Sequence, residues 1–247
     1  MEYLEFCDEF EREAARFVTL ARTADTAKAV PHCPDWKVED LLSHVGFVHR
    51  WAQYLVSVRA PERVSARDMR LSRGPVDASW LSSGAENVLV TLRESDPQEQ
   101  MWAWGADQHV RFWARRLLHE TLVHRVDLEQ SLGRPSEIDS GIAVDAIDEF
   151  LANLQSAGAF SPGLQNLVGD GEVLNFQTHE GARWNVQLTP DGFHLFEGEV
   201  SPNASLSAPA VQLLQLVYGR ASLEHPSTLV SGDEHLVRHW LAHSALQ

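Results

Sequence analysis

Residues 115–127 read RRLLHETLVHRVD, and this segment predicts a buried helix that carries ionisable groups. An α-helix turns by about 100° per residue, so Glu120 and His124 lie about 40° apart and share one face. Leu117 and Leu128 lie on or near that face, which indicates that it points into the protein. A buried carboxylate is costly unless it is paired, hydrogen-bonded or bound to a metal. The segment therefore predicts either a buried ion pair or part of a metal site.

The same segment superficially matches a zinc-protease motif, because His119 and Glu120 are followed by His124. In that motif the two histidines are four residues apart, with the glutamate between them. His119 and His124 are five residues apart, which puts them about 140° apart around a helix. They cannot both bind one ion from a regular helix, so the spacing excludes the protease.

His44 is the third candidate ligand, on the apolar side of a second predicted helix at 37–60. A lone histidine there is more often an ordinary core residue, but two imidazoles and one carboxylate together form a common catalytic zinc set. Such a set leaves the fourth position for water or substrate. His49 is expected to face elsewhere, at the surface. His32 and His109 are alternatives, since loop histidines can swing into a site.

Asp127 lies three residues after His124. One interpretation is that its carboxylate accepts the second ring N–H of that ligand and orients the imidazole. The other is that it is an exposed partner of Arg125 or Arg116. The sequence leaves both open.

The predicted secondary structure changes near residue 137, from helices alone to a mixture of helices and strands. Before it, amphipathic helices are predicted at 2–25, 37–60, 78–95 and 106–132, with a proline-containing break at 30–36. After it, the predicted elements are a helix at 141–156, strands at 172–177, 183–189, 192–197 and 204–208, and helices at 209–219 and 233–246. Asp191-Gly192 predicts a hairpin between two of these strands. We therefore expect an α+β protein, with a four-helix bundle at 1–137 and a smaller α/β domain at 138–247.

Composition excludes several classes of partner. The net charge is −15, from 20 Lys+Arg against 35 Asp+Glu, and such a surface repels nucleic acid. No apolar run reaches the roughly 18–20 residues of a membrane span. The N-terminal segment is acidic and does not resemble a secretory signal, so we expect a cytoplasmic protein, by default a monomer. Cys7 and Cys33 are too few for a disulfide framework and are predicted to be small buried residues.

Two N-terminal segments resemble the mycothiol-dependent maleylpyruvate isomerase family. They are residues 30–45, VPHCPDWKVEDLLSHV, and residues 112–127, FWARRLLHETLVHRVD. The second half is similar to the same family at Trp184, at Asp191-Gly192, within 205–220 and at 231–233. One departure is Lys37, where family members often have Thr or Ser. Lys is a poor helix cap, so Asp35 is an alternative start for the second helix.

The resemblance implies a divalent metal, zinc or another, held by His44, Glu120 and His124. It also implies a DinB-like four-helix bundle followed by an α/β domain similar to sterol carrier proteins. The founding activity of the family is the cis–trans isomerisation of maleylpyruvate with mycothiol as the thiol cofactor. Other members are regarded as thiol transferases.

From this resemblance we hypothesise that the metal stabilises the thiolate of a low-molecular-weight thiol, which adds to an acidic small-molecule electrophile. An anionic substrate in an acidic protein needs a local cation, and Arg220 is the first candidate and Arg116 the second. Arg220 is otherwise a helix C-terminal residue that meets the helix dipole. Trp102 and Trp104 either line the cleft or serve in packing.

Two further functions stay open at the level of the sequence. One is a non-catalytic module that binds a metal or a small ligand. The other is a metal-dependent hydrolase that needs no thiol, with water at the open metal position.

Overall fold

The computed structural model describes residues 1–65, 68–69, 76–159 and 161–245. The chain forms two compact units, Met1–Ser136 and Glu137–Gln247. The first contains helices and the second combines helices with a five-stranded sheet. The predicted α+β fold, a helical bundle followed by a smaller α/β domain, is confirmed.

The first unit has four long helices among its described residues. They are α1 (Tyr3–Ala21), α2 (Val38–Val58), α3 (Ala78–Arg93) and α4 (Val110–Ser131). Each buries one apolar face, and Phe10, Phe17, Leu41 and Trp113 are among the side chains with almost no exposed surface. Removal of this apolar surface from water is the main force that holds the helices together.

The start of α2 agrees with the predicted start near residue 37, and the alternative start at Asp35 is wrong. Lys37 occupies the cap position, and its backbone N–H donates to the Asp40 carboxylate at 2.9 Å. Asp35 lies before the turn with a left-handed φ of 66° and does not cap the helix. The Asp40 side chain, from the first turn, thus accepts a hydrogen bond from a backbone N–H at the start of the helix, and the Lys37 side chain provides no cap of its own.

A buried ion network joins α1 to α4. The guanidinium of Arg125 is fully buried and bonds to Glu13 of α1 and to Glu129 of its own helix, the latter at 2.6 Å. Breaking such a network by removing one partner leaves an uncompensated buried charge, which is strongly destabilising. The network therefore helps to hold α4 in register with α1.

The second unit begins with α5 (Ser140–Leu154) and two short 3-10 turns (Ala157–Ala159 and Pro162–Asn166). The remaining elements are β1 (Val173–Thr178), β2 (Arg183–Thr189), β3 (Gly192–Phe196), β4 (Ala204–Ala208), α6 (Ala210–Val217), β5 (Leu229–Gly232) and α7 (Glu234–Ser244). The strand order is β3-β2-β1-β4-β5, with β1 and β4 parallel and the other pairs antiparallel. β5 escaped sequence prediction because it is a four-residue edge strand with little burial. Residue 246, the end of the last predicted helix, lies outside the described residues.

The predicted Asp191-Gly192 hairpin joins β2 to β3. Thr189 pairs with Gly192, whose φ of 134° lies where side chains are rarely tolerated.

On α7, Trp240 is fully buried and its ring contacts those of Phe176 and Phe193. No helix in the described ranges is both long and apolar enough to cross a bilayer.

Candidate metal centre

Helices α2 and α4 bring together the three side chains that the sequence singled out. His44 Nε2 lies 2.9 Å from Glu120 Oε1, and His124 Nε2 lies 3.3 Å from the same oxygen. The two imidazole rings are 4.9 Å apart and nearly perpendicular. One potential ligand atom from each residue lies within 4.8 Å of the other two. Two imidazoles and one carboxylate in such a cluster fit a divalent metal.

Hydrogen bonds within the cluster shift the pKa values of two of its members, His124 and Glu120. Burial by itself would lower the pKa of His124, but hydrogen bonds to Asp127 and Glu120 outweigh it and raise the pKa to about 9. Burial would raise the pKa of Glu120, yet the hydrogen bonds from His124 and His44 hold it well below the ordinary value. The carboxylate is therefore ionised, as a metal ligand must be.

Asp127 holds the far side of the His124 ring. Its Oδ2 accepts a hydrogen bond from His124 Nδ1 at 2.9 Å, and its side chain is fully buried. The sequence left this role open against an exposed ion pair, and the burial favours the first. Cys33 Sγ also lies 3.7 Å from Asp127 Oδ2. This thiol is half-buried and not fully buried as predicted.

Arg116 fixes the other oxygen of Glu120. Its Nη2 donates to Glu120 Oε2 at 3.1 Å, and the guanidinium lies 5.8 Å from the ring centre of Trp104. Arg116 is almost fully buried. The two carboxylate oxygens are thus divided, with Oε1 towards the imidazoles and Oε2 towards the guanidinium.

Trp36 is a component of the site that sequence reasoning missed. A short loop closes through an Ala29–Lys37 bridge and a hydrogen bond from Val30 N to Trp36 O at 2.9 Å. It places the indole 5.0 Å from the His44 ring and stacked on the His124 ring at 6.2 Å. The available signal was an aromatic residue at the end of the proline-containing break, just before the helix that carries His44.

His49 is not a surface residue, and that prediction is wrong. It is 2% exposed, its Nε2 lies 2.9 Å from Thr121 Oγ1, and its ring meets Phe10 edge-on. The five-residue offset does turn His49 away from His44, but α1 and α4 both cover that second face of α2. Burial lowers the pKa of His49 to about 3, so the ring is neutral.

The other histidines in question lie elsewhere. His119 is buried on another face of α4, edge-on to Phe6. His32 is exposed on its loop, and His109 precedes α4 with Nδ1 2.6 Å from Asp107. Among the described residues, the His44, Glu120 and His124 group is the one cluster of three or more such ligands.

Arg220 belongs to the second unit and follows α6. It is 8% exposed, and its Nη1 donates to the backbone carbonyl of Tyr218 at 2.6 Å. Trp102 and Trp104 join an aromatic cluster of the first unit, where Trp102 contacts Trp113 and Trp104 meets Phe112 edge-on. These contacts favour the packing interpretation for both tryptophans.

Comparisons with known proteins agree with this picture. The family model described as the mycothiol maleylpyruvate isomerase N-terminal domain matches residues 7–129, and the MDMPI C-terminal domain matches residues 141–239. A search of the curated proteins found no significant match.

Solved structures show the same fold. The crystal structure of the mycothiol-dependent maleylpyruvate isomerase aligns at 13% identity over 94% of this chain and 93% of that chain, with a TM-score of 0.61. A point mutant of the mycothiol-dependent maleylpyruvate isomerase aligns at 14% identity with the same coverage and a TM-score of 0.62. At these identities the likeness establishes the fold, while the two family models together account for nearly the whole sequence. The chain belongs to the mycothiol-dependent maleylpyruvate isomerase family.

Proposed function

We propose that this protein is a metal- and thiol-dependent enzyme that uses mycothiol to modify an electrophilic small molecule, by cis–trans isomerisation or by S-transfer. The observation that carries the proposal is the convergence of His44, Glu120 and His124, whose potential ligand atoms lie within 4.8 Å of one another. Membership of the family supports mycothiol as the thiol.

The donor set fits zinc, and imidazole with carboxylate also suits nickel, cobalt or iron. A divalent ion bound by these three side chains would supply the positive charge that stabilises the thiolate form of a bound thiol. The other side chains of the site would contribute by holding the ligands in position.

Three residues of the chain prepare the ligands. Asp127 accepts from Nδ1 of His124 and thereby aims Nε2 of that ring at the cluster. Arg116 holds Oε2 of Glu120 and leaves Oε1 towards the two imidazoles. Trp36 packs its indole against both imidazole rings.

The proposed reaction is addition of the thiol sulfur to an activated carbon–carbon double bond. The bond becomes single and rotates, and loss of the same thiol restores the double bond in the trans form. If the neighbouring carbon is protonated instead, the product is a thioether and the reaction is an S-transfer. Arg220 is our proposed partner for a substrate carboxylate, since a guanidinium binds carboxylates in a planar fork. Arg116 is the second candidate, but its guanidinium already pairs with Glu120.

The first test is the metal content of dialysed protein by mass spectrometry, with X-ray absorption at the metal edge before and after addition of mycothiol. We expect about one tightly bound metal per chain and a sulfur ligand that appears with the thiol. A metal that gains no sulfur ligand would contradict the proposal. Thiol-independent turnover would then favour the hydrolase, and no exchangeable position on the metal would favour the binding module.

Substitutions test the ligands themselves. Glu120→Ala and His124→Ala should release the metal and leave a folded helical bundle, as judged by circular dichroism. His32→Ala is the matched control, because this histidine is exposed on a nearby loop and should not affect metal content. If both ligand variants kept stoichiometric metal after dialysis, the proposed site would be wrong.

A further inference from the structure

Helix α7 carries three histidines at four-residue spacing, His235, His239 and His243. Side chains four residues apart on a helix lie on the same face. The rings of His239 and His243 are in contact, with centroids 4.5 Å apart and planes inclined by 47°. This separation is close to the 4.9 Å between the two imidazoles of the candidate metal centre.

Backbone carbonyls orient both rings of this pair. His239 Nε2 lies 3.0 Å from the carbonyl oxygen of Asn166, and His243 Nδ1 lies 2.8 Å from that of His239. A carbonyl oxygen can only accept, so these two nitrogens carry the ring protons. In the neutral rings the lone pairs then lie on His239 Nδ1 and His243 Nε2. An imidazole that donates one N–H to a carbonyl and keeps the opposite lone pair is the usual arrangement of a metal-ligating histidine.

We propose that His239 and His243 form a second metal site, which takes one first-row divalent ion such as Ni²⁺, Cu²⁺ or Zn²⁺. Imidazole suits these ions, and histidines four apart on a helix share one ion in known zinc sites. Both rings are partly exposed, so an ion reaches them without unfolding. The pair supplies two ligands, because His235, one turn earlier, does not come within ligand distance of both rings, and water fills the remaining positions. The site uses none of the residues of the proposed enzymatic centre and does not depend on its activity.

Calorimetric titration with Ni²⁺ tests the site in the full chain, both in the wild type and with Glu120→Ala to weaken the first centre. We expect one weakly bound equivalent of Ni²⁺, which dialysis removes and which is still titrated in Glu120→Ala. His239→Asn and His243→Asn should each weaken it by about tenfold or more, since either substitution destroys the chelate. The control is His179→Asn, which removes an exposed histidine of the same unit and should change nothing. Unchanged binding in both α7 variants, or an equal loss in the control, would overturn the proposal.

A second measurement examines the rings directly. Long-range ¹H–¹⁵N correlation spectra should show His239 protonated on Nε2 and His243 protonated on Nδ1. Addition of Zn²⁺ should then shift His239 Nδ1 and His243 Nε2 more than the nitrogens of His179. The opposite tautomers, or shifts no larger than those of His179, would contradict the site even if the first centre bound its metal normally.

Discussion

Asp127 holds His124 through a 2.9 Å hydrogen bond from Nδ1 of the ring, and the Asp127 carboxylate is fully buried. Because Asp127 accepts from Nδ1, Nε2 is the nitrogen of His124 that faces Glu120 and His44, and it can bind a metal once it has lost its proton. The orientation of this ring therefore depends on a residue outside the proposed set of metal ligands.

Substitution of Asp127 tests this dependence. Asp127→Asn should weaken metal binding by about 10–100-fold, the usual cost of losing such a supporting carboxylate. The measurement is competition against a chromogenic chelator. Asp191→Asn is the control, because this aspartate is exposed in a hairpin where asparagine is equally suitable. Equal affinity of the wild type and Asp127→Asn would show that the hydrogen bond does not position the ligand.

Arg116 should act on the metal through Glu120. Arg116→Gln removes the charge that holds Glu120 Oε2, so the carboxylate is free to rotate, and we expect metal affinity to fall by about tenfold. Arg115→Gln is a matched control on the same helix, because the Arg115 guanidinium lies over the ring of Phe6 and not at Glu120. If Arg116→Gln kept full metal affinity and raised only KM, Arg116 would be a substrate-binding residue instead, as the sequence also allowed.

Trp36 should protect the imidazole pair. Trp36→Ala uncovers the rings of His44 and His124, and we expect weaker metal binding together with a loss of about 2 kcal/mol in unfolding free energy. Trp36→Phe keeps an aromatic face and should recover most of the affinity. The two effects are separable by metal titration and urea unfolding. An alanine variant that binds metal as tightly as the wild type would assign Trp36 to packing alone.

His49 should make the first unit acid-sensitive. Burial is the largest influence and lowers its pKa from 6.5 to about 3, against the opposing charge of Glu120, while Arg50, His44 and His124 lower it further. Above pH 6.5 His49 is neutral in both the folded and the unfolded state, so it does not change stability with pH. Between pH 6.5 and about 3 only the unfolded state binds the proton, so stability falls as pH falls through this window. By pH 5 the loss from this group should be about 2 kcal/mol, at about 1.4 kcal/mol per pH unit.

Urea unfolding of His49→Gln against the wild type measures that loss. The variant should be less stable above pH 6.5 but should lose less stability on acidification. His179→Gln is the exposed control and should follow the wild type. If His49→Gln and the wild type lost stability in parallel between pH 7 and pH 5, His49 would not be the acid-sensitive group.

Sequence periodicity was sufficient for most of the fold. The helix with Glu120 and His124 was predictable because its apolar and polar positions recur with the helical repeat, and the β2–β3 hairpin was predictable because Gly192 follows Asp191 at a turn. The short edge strand Leu229–Gly232 was not, since four mostly exposed residues carry no periodic pattern. The error at His49 has a similar origin, because helix periodicity gives direction but not how many neighbours cover a face.

By itself, the sequence determined which side chains share a helix face, and so placed Glu120 with His124 and excluded His119 from the same ion. Only the tertiary structure decided that His44 of α2 meets this pair, that Asp127 and Arg116 orient it, and that Trp36 covers it. Local periodicity follows from backbone geometry along one helix. Contacts between distant segments depend on how several apolar faces are buried together, and no single segment encodes that.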